Sequence, residues 1–155
     1  MCPYLEAVMK CHADIKKLAL EKFADAECLL REGRVDSAFY IAGYCVELLI
    51  KARVCKNLGI EDFFDFDNPG KTKLKNEGNI YKPFKVHDLE QLLILSGIYT
   101  EFKKELLADQ SFKAAWSFIS IWTENTRYLT GKTENEVKDF LTSIKQFEAW
   151  ILKYL

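Results

Sequence analysis

The sequence predicts an all-α protein: an up-and-down bundle of four long helices with one or two additional short helices. Apolar residues recur at helical spacing through most of the chain, and capping residues and glycines mark the helix boundaries. No strand alternation, glycine-rich phosphate loop, repeat or low-complexity segment interrupts this pattern. With 155 residues, 49% of them hydrophobic, we expect one domain over residues 1–155.

Charge and cysteine content exclude several classes of protein. A formal net charge of -1 argues against nucleic-acid binding through bulk positive charge, although it leaves room for a local basic pocket. The five cysteines form no CxxC pair, so we expect reduced residues in or near the core and no metal site. The first residues lack a secretory signal, and no apolar run approaches the roughly 18 residues of a membrane span. These features predict a cytoplasmic protein without a cofactor or a membrane contact.

The first predicted helix is long. Pro3 suits its first turn, apolar residues follow at helical spacing, and the helix is expected to end near Leu30, before Gly33. His12 lies on or beside the apolar face. We interpret it as a core or boundary residue without a functional role.

The second predicted helix is the centre of the fold. Between residues 38 and 50 only Glu47 is charged, so this helix is apolar around nearly its whole circumference and requires cover on several sides. Asp36 or Ser37 is the expected N-cap, and Gly59 is expected to follow the C-terminus. Gly43 in the middle of the helix indicates that another helix or a ligand approaches the backbone there.

A polar stripe on this helix is the leading functional feature. Tyr40, Tyr44, Glu47 and Lys51 stand at positions i, i+4, i+7 and i+11 and therefore share one face. Glu47 and Lys51 form either a solvated i, i+4 pair or a partly buried pair that lines a cleft.

A long connection follows at about residues 60–86, where the helical period disappears. Acidic and aromatic residues come first, a turn follows at Asn68, Pro69 and Gly70, and the second half is rich in lysine. This loop is a lid, a partner-binding surface or a mobile insertion.

Two short helices are predicted next. Asp88 and Gln91 read as a capping box for the first, which ends at Gly97, and the second spans residues 99–107. His87 precedes the cap. It either bonds to neighbouring backbone and covers the helix end, or it serves as a proton donor or a phosphate contact.

The third of the four long helices is predicted to begin at Ser111, to be covered on two adjacent faces and to pair with the central helix. Arg127 and Tyr128 fall near its end, before Gly131. Arg127 is either stabilised there by the helix dipole or presents its guanidinium to a phosphate or carboxylate. Thr133 and Glu136 then form a capping box for the last long helix, whose apolar stripe reaches the final residue.

The order of three segments resembles the HEPN family (higher eukaryotes and prokaryotes nucleotide-binding domain) over most of the chain. The segments are GRVDSAFYIAGYCVELLIKA, KVHDLEQLL and WTENTRY, followed by the capped terminal helix. The resemblance is carried by Ala38, Glu47, Leu49, Lys51, Ala52, His87, Asp88, Leu89, Arg127 and Tyr128. It implies an up-and-down helical bundle, usually a homodimer, with a polar cleft between the central helices and a function associated with nucleotides or RNA.

The ribonucleases of this family carry an arginine and a histidine that are separated by four to six residues. After Arg127 the corresponding positions hold Lys132, Thr133 and Glu134, so this acid-base pair is absent. The chain is therefore similar to bacterial members that act as non-catalytic binding modules in toxin-antitoxin-like or accessory roles. The resemblance implies a cleft or dimer seam that holds a nucleotide, an RNA end or a nucleotidyltransferase partner. Its expected binding residues are Tyr44, Glu47, Lys51, His87, Arg127 and Tyr128.

Two alternatives remain. In a divergent metal-independent ribonuclease, His87 would move the proton of the ribose hydroxyl and Arg127 would stabilise the pentavalent phosphate, which requires the two groups to lie within about 8 Å. In a purely structural dimerisation module, Tyr40, Tyr44 and Trp122 would anchor the interface.

Overall fold

The computed structural model describes residues 11–60 and 86–155. The described residues form six α-helices and no strand, which confirms the all-α bundle. The helices are α1 (His12–Arg31), α2 (Val35–Leu58), α3 (Leu89–Leu95), α4 (Tyr99–Ala108), α5 (Gln110–Ile119) and α6 (Glu134–Ile151). Two 3₁₀ helices, Glu124–Tyr128 and Leu152–Tyr154, follow α5 and α6. The predicted helix start at Pro3 and residues 61–85 of the predicted loop lie outside the described part.

Helix α2 is the central helix, as its apolar circumference predicts. It packs against α1, α6, α3 and the Glu124–Tyr128 3₁₀ helix, and its residues are buried from Ala38 to Cys55 with few exceptions. Gly59 ends the helix with a φ of 61°, a left-handed conformation that glycine adopts without a steric penalty. The predicted C-terminus of this helix is therefore confirmed.

The start of α2 differs from the prediction. The N-cap is Arg34, which makes no side-chain capping bond, and Asp36 lies in the first turn of the helix. The Asp36 carboxylate instead accepts hydrogen bonds from the backbone N–H groups of Gly131, at 3.2 Å, and Lys132, at 2.9 Å. The prediction of Asp36 or Ser37 as N-cap was wrong because tertiary contacts recruit the carboxylate. Asp36 thereby ties the start of α2 to the loop before α6.

The third long helix, predicted from Ser111, is shorter than predicted. Helix α5 ends at Ile119, and the chain turns before the Glu124–Tyr128 3₁₀ helix begins. Thr123 is the extended N-cap of that 3₁₀ helix, and its N–H donates to the Thr126 hydroxyl at 3.2 Å. Helix α5 itself packs against α4 and α6, whereas the 3₁₀ helix packs against α2. The expected pairing with the central helix is thus made by the segment that follows α5.

Trp122, in the turn after α5, explains the glycine at the middle of α2. A Cβ at Gly43 would overlap the indole ring of Trp122. The ring also stacks with Tyr40 at a centroid distance of 6.1 Å, and its Nε1–H donates to the Tyr40 carbonyl at 3.1 Å. The close approach predicted at Gly43 is confirmed, and a tryptophan makes it. Because Trp122 is only 2% exposed, it is a core residue of this chain and offers no surface as an interface anchor.

The last helix agrees with the sequence in detail. The Thr133 hydroxyl accepts a hydrogen bond from the Glu136 N–H at 3.2 Å, and the Glu136 carboxylate accepts one from the Thr133 N–H at 2.7 Å. This reciprocal pair confirms the capping box. The buried stripe consists of Val137, Phe140, Leu141, Ile144, Phe147, Trp150 and Ile151.

Candidate functional site

An ion pair lies inside the bundle, on the central helix. The Lys51 Nζ is 2.6 Å from Glu47 Oε1, and the two residues are 6% and 0% exposed. The structure excludes the solvated form of this i, i+4 pair. The pair is more deeply buried than the cleft-lining alternative predicts, and neither residue lines the cleft beside His87. Removing two charges from water costs several kcal/mol per ion, and the mutual attraction offsets this cost only with good geometry and further hydrogen bonds. Glu47 has such a further partner.

That partner is His87. Its Nδ1 lies 3.0 Å from each oxygen of the Glu47 carboxylate, across 40 residues of sequence, while 47% of the side chain remains exposed. His87 is placed by the segment that leads into α3, where the Asp88 carboxylate caps the helix by accepting the Gln91 N–H at 2.7 Å. The contact joins two distant elements, so His87 does more than cover the end of its own helix.

Glu124 is a member of this site that sequence reasoning missed. It is the first residue of the 3₁₀ helix, and its carboxylate lies 3.6 Å from the His87 Nδ1 with 38% of the side chain exposed. Its segment, WTENTRY, carries part of the family resemblance. Because the sequence predicts a continuous helix there, only Arg127 and Tyr128 of this segment are expected binding residues. The Nδ1 of His87 therefore faces two carboxylates, and Lys51 neutralises one of them.

Tyr44 belongs to the same face of α2. Burial raises the pKa of the Tyr44 phenol, and the nearby carboxylate of Glu47 and the phenol of Tyr40 raise this pKa further. The phenol is thus neutral at physiological pH and can donate a hydrogen bond but carries no charge. The polar stripe predicted on α2 is therefore present, and its side chains are buried or half-buried.

An open cleft of about 330 Å³ lies beside His87. It is bounded by the N-terminus of α3 on one side and by the segment from Trp116 to Asn125 on the other. Trp116 contributes an apolar wall, the nearly buried Trp122 contributes only a small area, and Asp88, Glu90 and Glu124 contribute carboxylates. Among the described residues, no lysine or arginine lines the cleft. The cleft is therefore suited to apolar rings, hydrogen-bond donors and cations.

Arg127 and Tyr128 lie elsewhere on the surface. Both are exposed at the end of the 3₁₀ helix, and the Arg127 guanidinium stacks over the Tyr128 ring at 4.9 Å from its centroid. Neither residue lines the cleft, and no contact in the described part of the chain joins them to Glu47 or His87. Of the six expected binding residues, the structure brings together Tyr44, Glu47, Lys51 and His87.

The cysteines and acidic residues of the described ranges show no metal-binding arrangement. No group of three histidine, cysteine or acidic side chains within residues 11–60 and 86–155 is placed to hold a metal ion. Cys11, Cys28, Cys45 and Cys55 are free thiols. Burial raises the pKa of Cys55 to about 12 and also raises the pKa of Cys45. None of the helices described is both long and apolar enough to cross a bilayer.

Comparisons of the chain with protein-family models, with curated proteins and with solved structures give no significant match. The similarity to the HEPN family therefore stays a prediction from the residues named above. The kinds of ligand that the cleft can bind are inferred from the side chains that line it.

Proposed function

We propose that this protein is a HEPN-like, non-catalytic binding module that holds a nucleotide or an RNA end at the cleft beside His87. The observation that carries the proposal is the contact between the fully buried Glu47 carboxylate and the half-exposed His87 ring, at 3.0 Å. A buried ion pair is weak evidence for stability, because apolar residues of similar size often serve as well. A histidine oriented by a buried carboxylate is instead the usual arrangement of a functional imidazole.

A homodimer, and a nucleotidyltransferase partner in a bacterial toxin-antitoxin-like or accessory role, belong to the same proposal. Exposed apolar side chains near the 3₁₀ helix support a surface for a protein partner, since Ile121, Tyr128 and Leu129 are all more than half exposed. A cytoplasmic location fits the four cysteines of the described residues, which are free thiols.

The test compares the two histidines of the chain. Binding of fluorescently labelled single-stranded RNA and of nucleotides is measured by anisotropy for the wild type, His87→Ala and His12→Ala. His12 begins α1 and does not line the cleft, so it is a matched control. We expect His87→Ala to weaken binding about 10-fold or more, which corresponds to about 1.4 kcal/mol, and His12→Ala to leave the Kd unchanged. Absence of binding by the wild type, or equal effects of both variants, would refute the proposal.

The ribonuclease remains the second candidate because of one observation. A carboxylate bound to Nδ1 leaves the other ring nitrogen of His87 available to accept a proton, as in general base catalysis. The position of Arg127, stacked on Tyr128 outside the cleft, argues against the second half of the predicted pair. Incubation of labelled RNA with a metal chelator decides between the candidates. Cleavage by the wild type that disappears in both His87→Ala and Arg127→Ala would establish the ribonuclease.

A further inference from the structure

The two nitrogens of the His87 ring face different surroundings. Nδ1 lies against the Glu47 carboxylate, which can only accept hydrogen bonds, so a neutral His87 carries its proton on Nδ1. Nε2 is on the opposite side of the ring and has no hydrogen bond to a described residue. Because His87 lines the cleft and is half exposed, the unprotonated Nε2 is available to a ligand as an acceptor.

Glu124 adds a second acceptor to the lining of the cleft. Its carboxylate lies 3.6 Å from the His87 Nδ1, and neither a lysine nor an arginine of the described residues pairs with it. Glu90, by contrast, already accepts the Tyr99 hydroxyl at 2.6 Å, and Asp88 caps α3. The cleft thus offers two acceptor groups, the His87 Nε2 and the two oxygens of the Glu124 carboxylate.

The same surroundings oppose a phosphate group. Asp88, Glu90 and Glu124 would repel a phosphate in the cleft, and the buried Lys51 is engaged by Glu47. The cleft volume of about 330 Å³ and the partly exposed Trp116 instead suit a planar ring system. Proteins read unstacked bases by aromatic contacts and by hydrogen bonds to the base edges.

We infer that Glu47 fixes His87 as the Nδ1–H tautomer and that the cleft binds the donor edge of a nucleobase, with the phosphate outside. Guanine is the best match, because its N1–H and its amino group are adjacent donors that the two oxygens of the Glu124 carboxylate can accept. This inference rests on the proposed function and specifies which part of the nucleotide the cleft holds.

The tautomer is tested by long-range ¹H–¹⁵N spectra of the labelled protein at pH 8, in which His12 and His87 are the only imidazoles. We expect the Nδ1–H pattern for His87 in the wild type. In the double variant Glu47→Gln/Lys51→Met, which removes both buried charges together, the amide can also donate, so His87 should shift toward the Nε2–H form that a free imidazole favours. The His12 signals should be the same in both proteins. An Nε2–H pattern for His87 in the wild type would overturn the assignment.

The ligand class is tested by competition against labelled RNA with guanosine, inosine, ribose 5-phosphate, inorganic phosphate and N-acetylarginine amide. We expect guanosine to compete at least 10-fold better than inosine, which lacks the amino group, and the two phosphates not to compete. Glu124→Gln should weaken guanosine binding 10-fold or more. Glu134→Gln, on the exposed first turn of α6, is the matched control and should leave binding unchanged.

The remaining outcomes separate this inference from the proposed function. If the wild type binds RNA but the two phosphates compete as well as guanosine, the base-first orientation is wrong and the binding module stands. If no RNA or nucleoside binds and only N-acetylarginine amide perturbs the cleft, both proposals fail and the cleft receives a basic side chain of a protein partner.

Discussion

The Glu47–Lys51 pair places two opposite charges inside the apolar surroundings of α2, in contact with a half-exposed imidazole. At the scale of single residues, this arrangement links stability to function. Lys51 compensates the charge of the Glu47 carboxylate, and this carboxylate contacts His87. A substitution at either charged residue therefore affects both the stability of the core and the orientation of His87 in the cleft.

We therefore predict that Lys51→Met lowers the free energy of unfolding by about 3–5 kcal/mol, because Glu47 becomes a buried charge without its lysine. The double variant Glu47→Gln/Lys51→Met should recover most of this loss, because it leaves no unpaired buried charge. Urea unfolding followed by circular dichroism measures both. Equal losses in the single and the double variant would show that the pair matters only through its packing.

Helices α2 and α6 illustrate how the elements obtain their positions. Helix α2 has a glycine where the Trp122 indole crosses it, and α6 begins with a reciprocal capping box. The first feature depends on a contact with a distant segment, whereas the second is contained in four consecutive residues.

Gly43→Ala is expected to destabilise the protein although alanine is the better helix former. The substitution favours the helix by about 1 kcal/mol. Its methyl group would, however, overlap the Trp122 indole, and overpacking of this kind costs about 1–3 kcal/mol. Thermal unfolding of Gly43→Ala, Trp122→Phe and the double variant measures the coupling. We expect the double variant to lose less than the sum of the single losses, and strict additivity would contradict a direct contact.

The capping box of α6 predicts an acid-sensitive contribution to stability. Hydrogen bonds from the Thr133 backbone and hydroxyl lower the pKa of Glu136 below its ordinary value of 4.5. Since the pKa is lower in the folded protein, the stabilisation is complete above about pH 4.5 and is lost as the pH falls through the folded-state value. The midpoint of thermal unfolding should thus decrease less between pH 6 and pH 3 in Glu136→Gln than in the wild type. Asp139→Asn, which removes an exposed carboxylate of the same helix, is the control.

Across the whole molecule, contacts between segments far apart in sequence close the bundle around α2. His87 reaches Glu47 from the start of α3, Trp122 reaches α2 from the turn after α5, and Asp36 reaches the loop before α6. His87 and Trp122 both line the cleft, so the site exists only in the folded bundle.

Asp36→Ala should reveal the contribution of the third contact. The carboxylate accepts two backbone hydrogen bonds, and bonds to a charged group contribute about 1.5–3 kcal/mol each at most. We expect a loss of about 1–3 kcal/mol and faster amide hydrogen exchange at Gly131 and Lys132. Asp139→Ala, on the exposed side of α6, is the control. Unchanged exchange at both amides would contradict the tie between α2 and this loop.

The sequence by itself determined the features that depend on neighbours within one helix. Apolar spacing predicts the helices. Local capping signals predict that α2 ends at Gly59 and that α6 begins with the Thr133–Glu136 capping box. A separation of four residues predicts that Glu47 and Lys51 contact each other. These features follow from the helical repeat alone, and the structure confirms them.

Only the tertiary structure decided where the helix predicted from Ser111 ends and which residues surround His87. The apolar spacing continues past Ile119, so the local pattern favours a longer helix. The chain instead turns after Ile119, and this turn places Trp122 on Gly43 and Glu124 beside His87. It also leaves Arg127 and Tyr128 on the surface, away from the other expected binding residues. The physical reason is that burial of an indole and pairing of charges across the bundle outweigh small differences in helix propensity. Such gains depend on partners that a single segment of sequence does not contain.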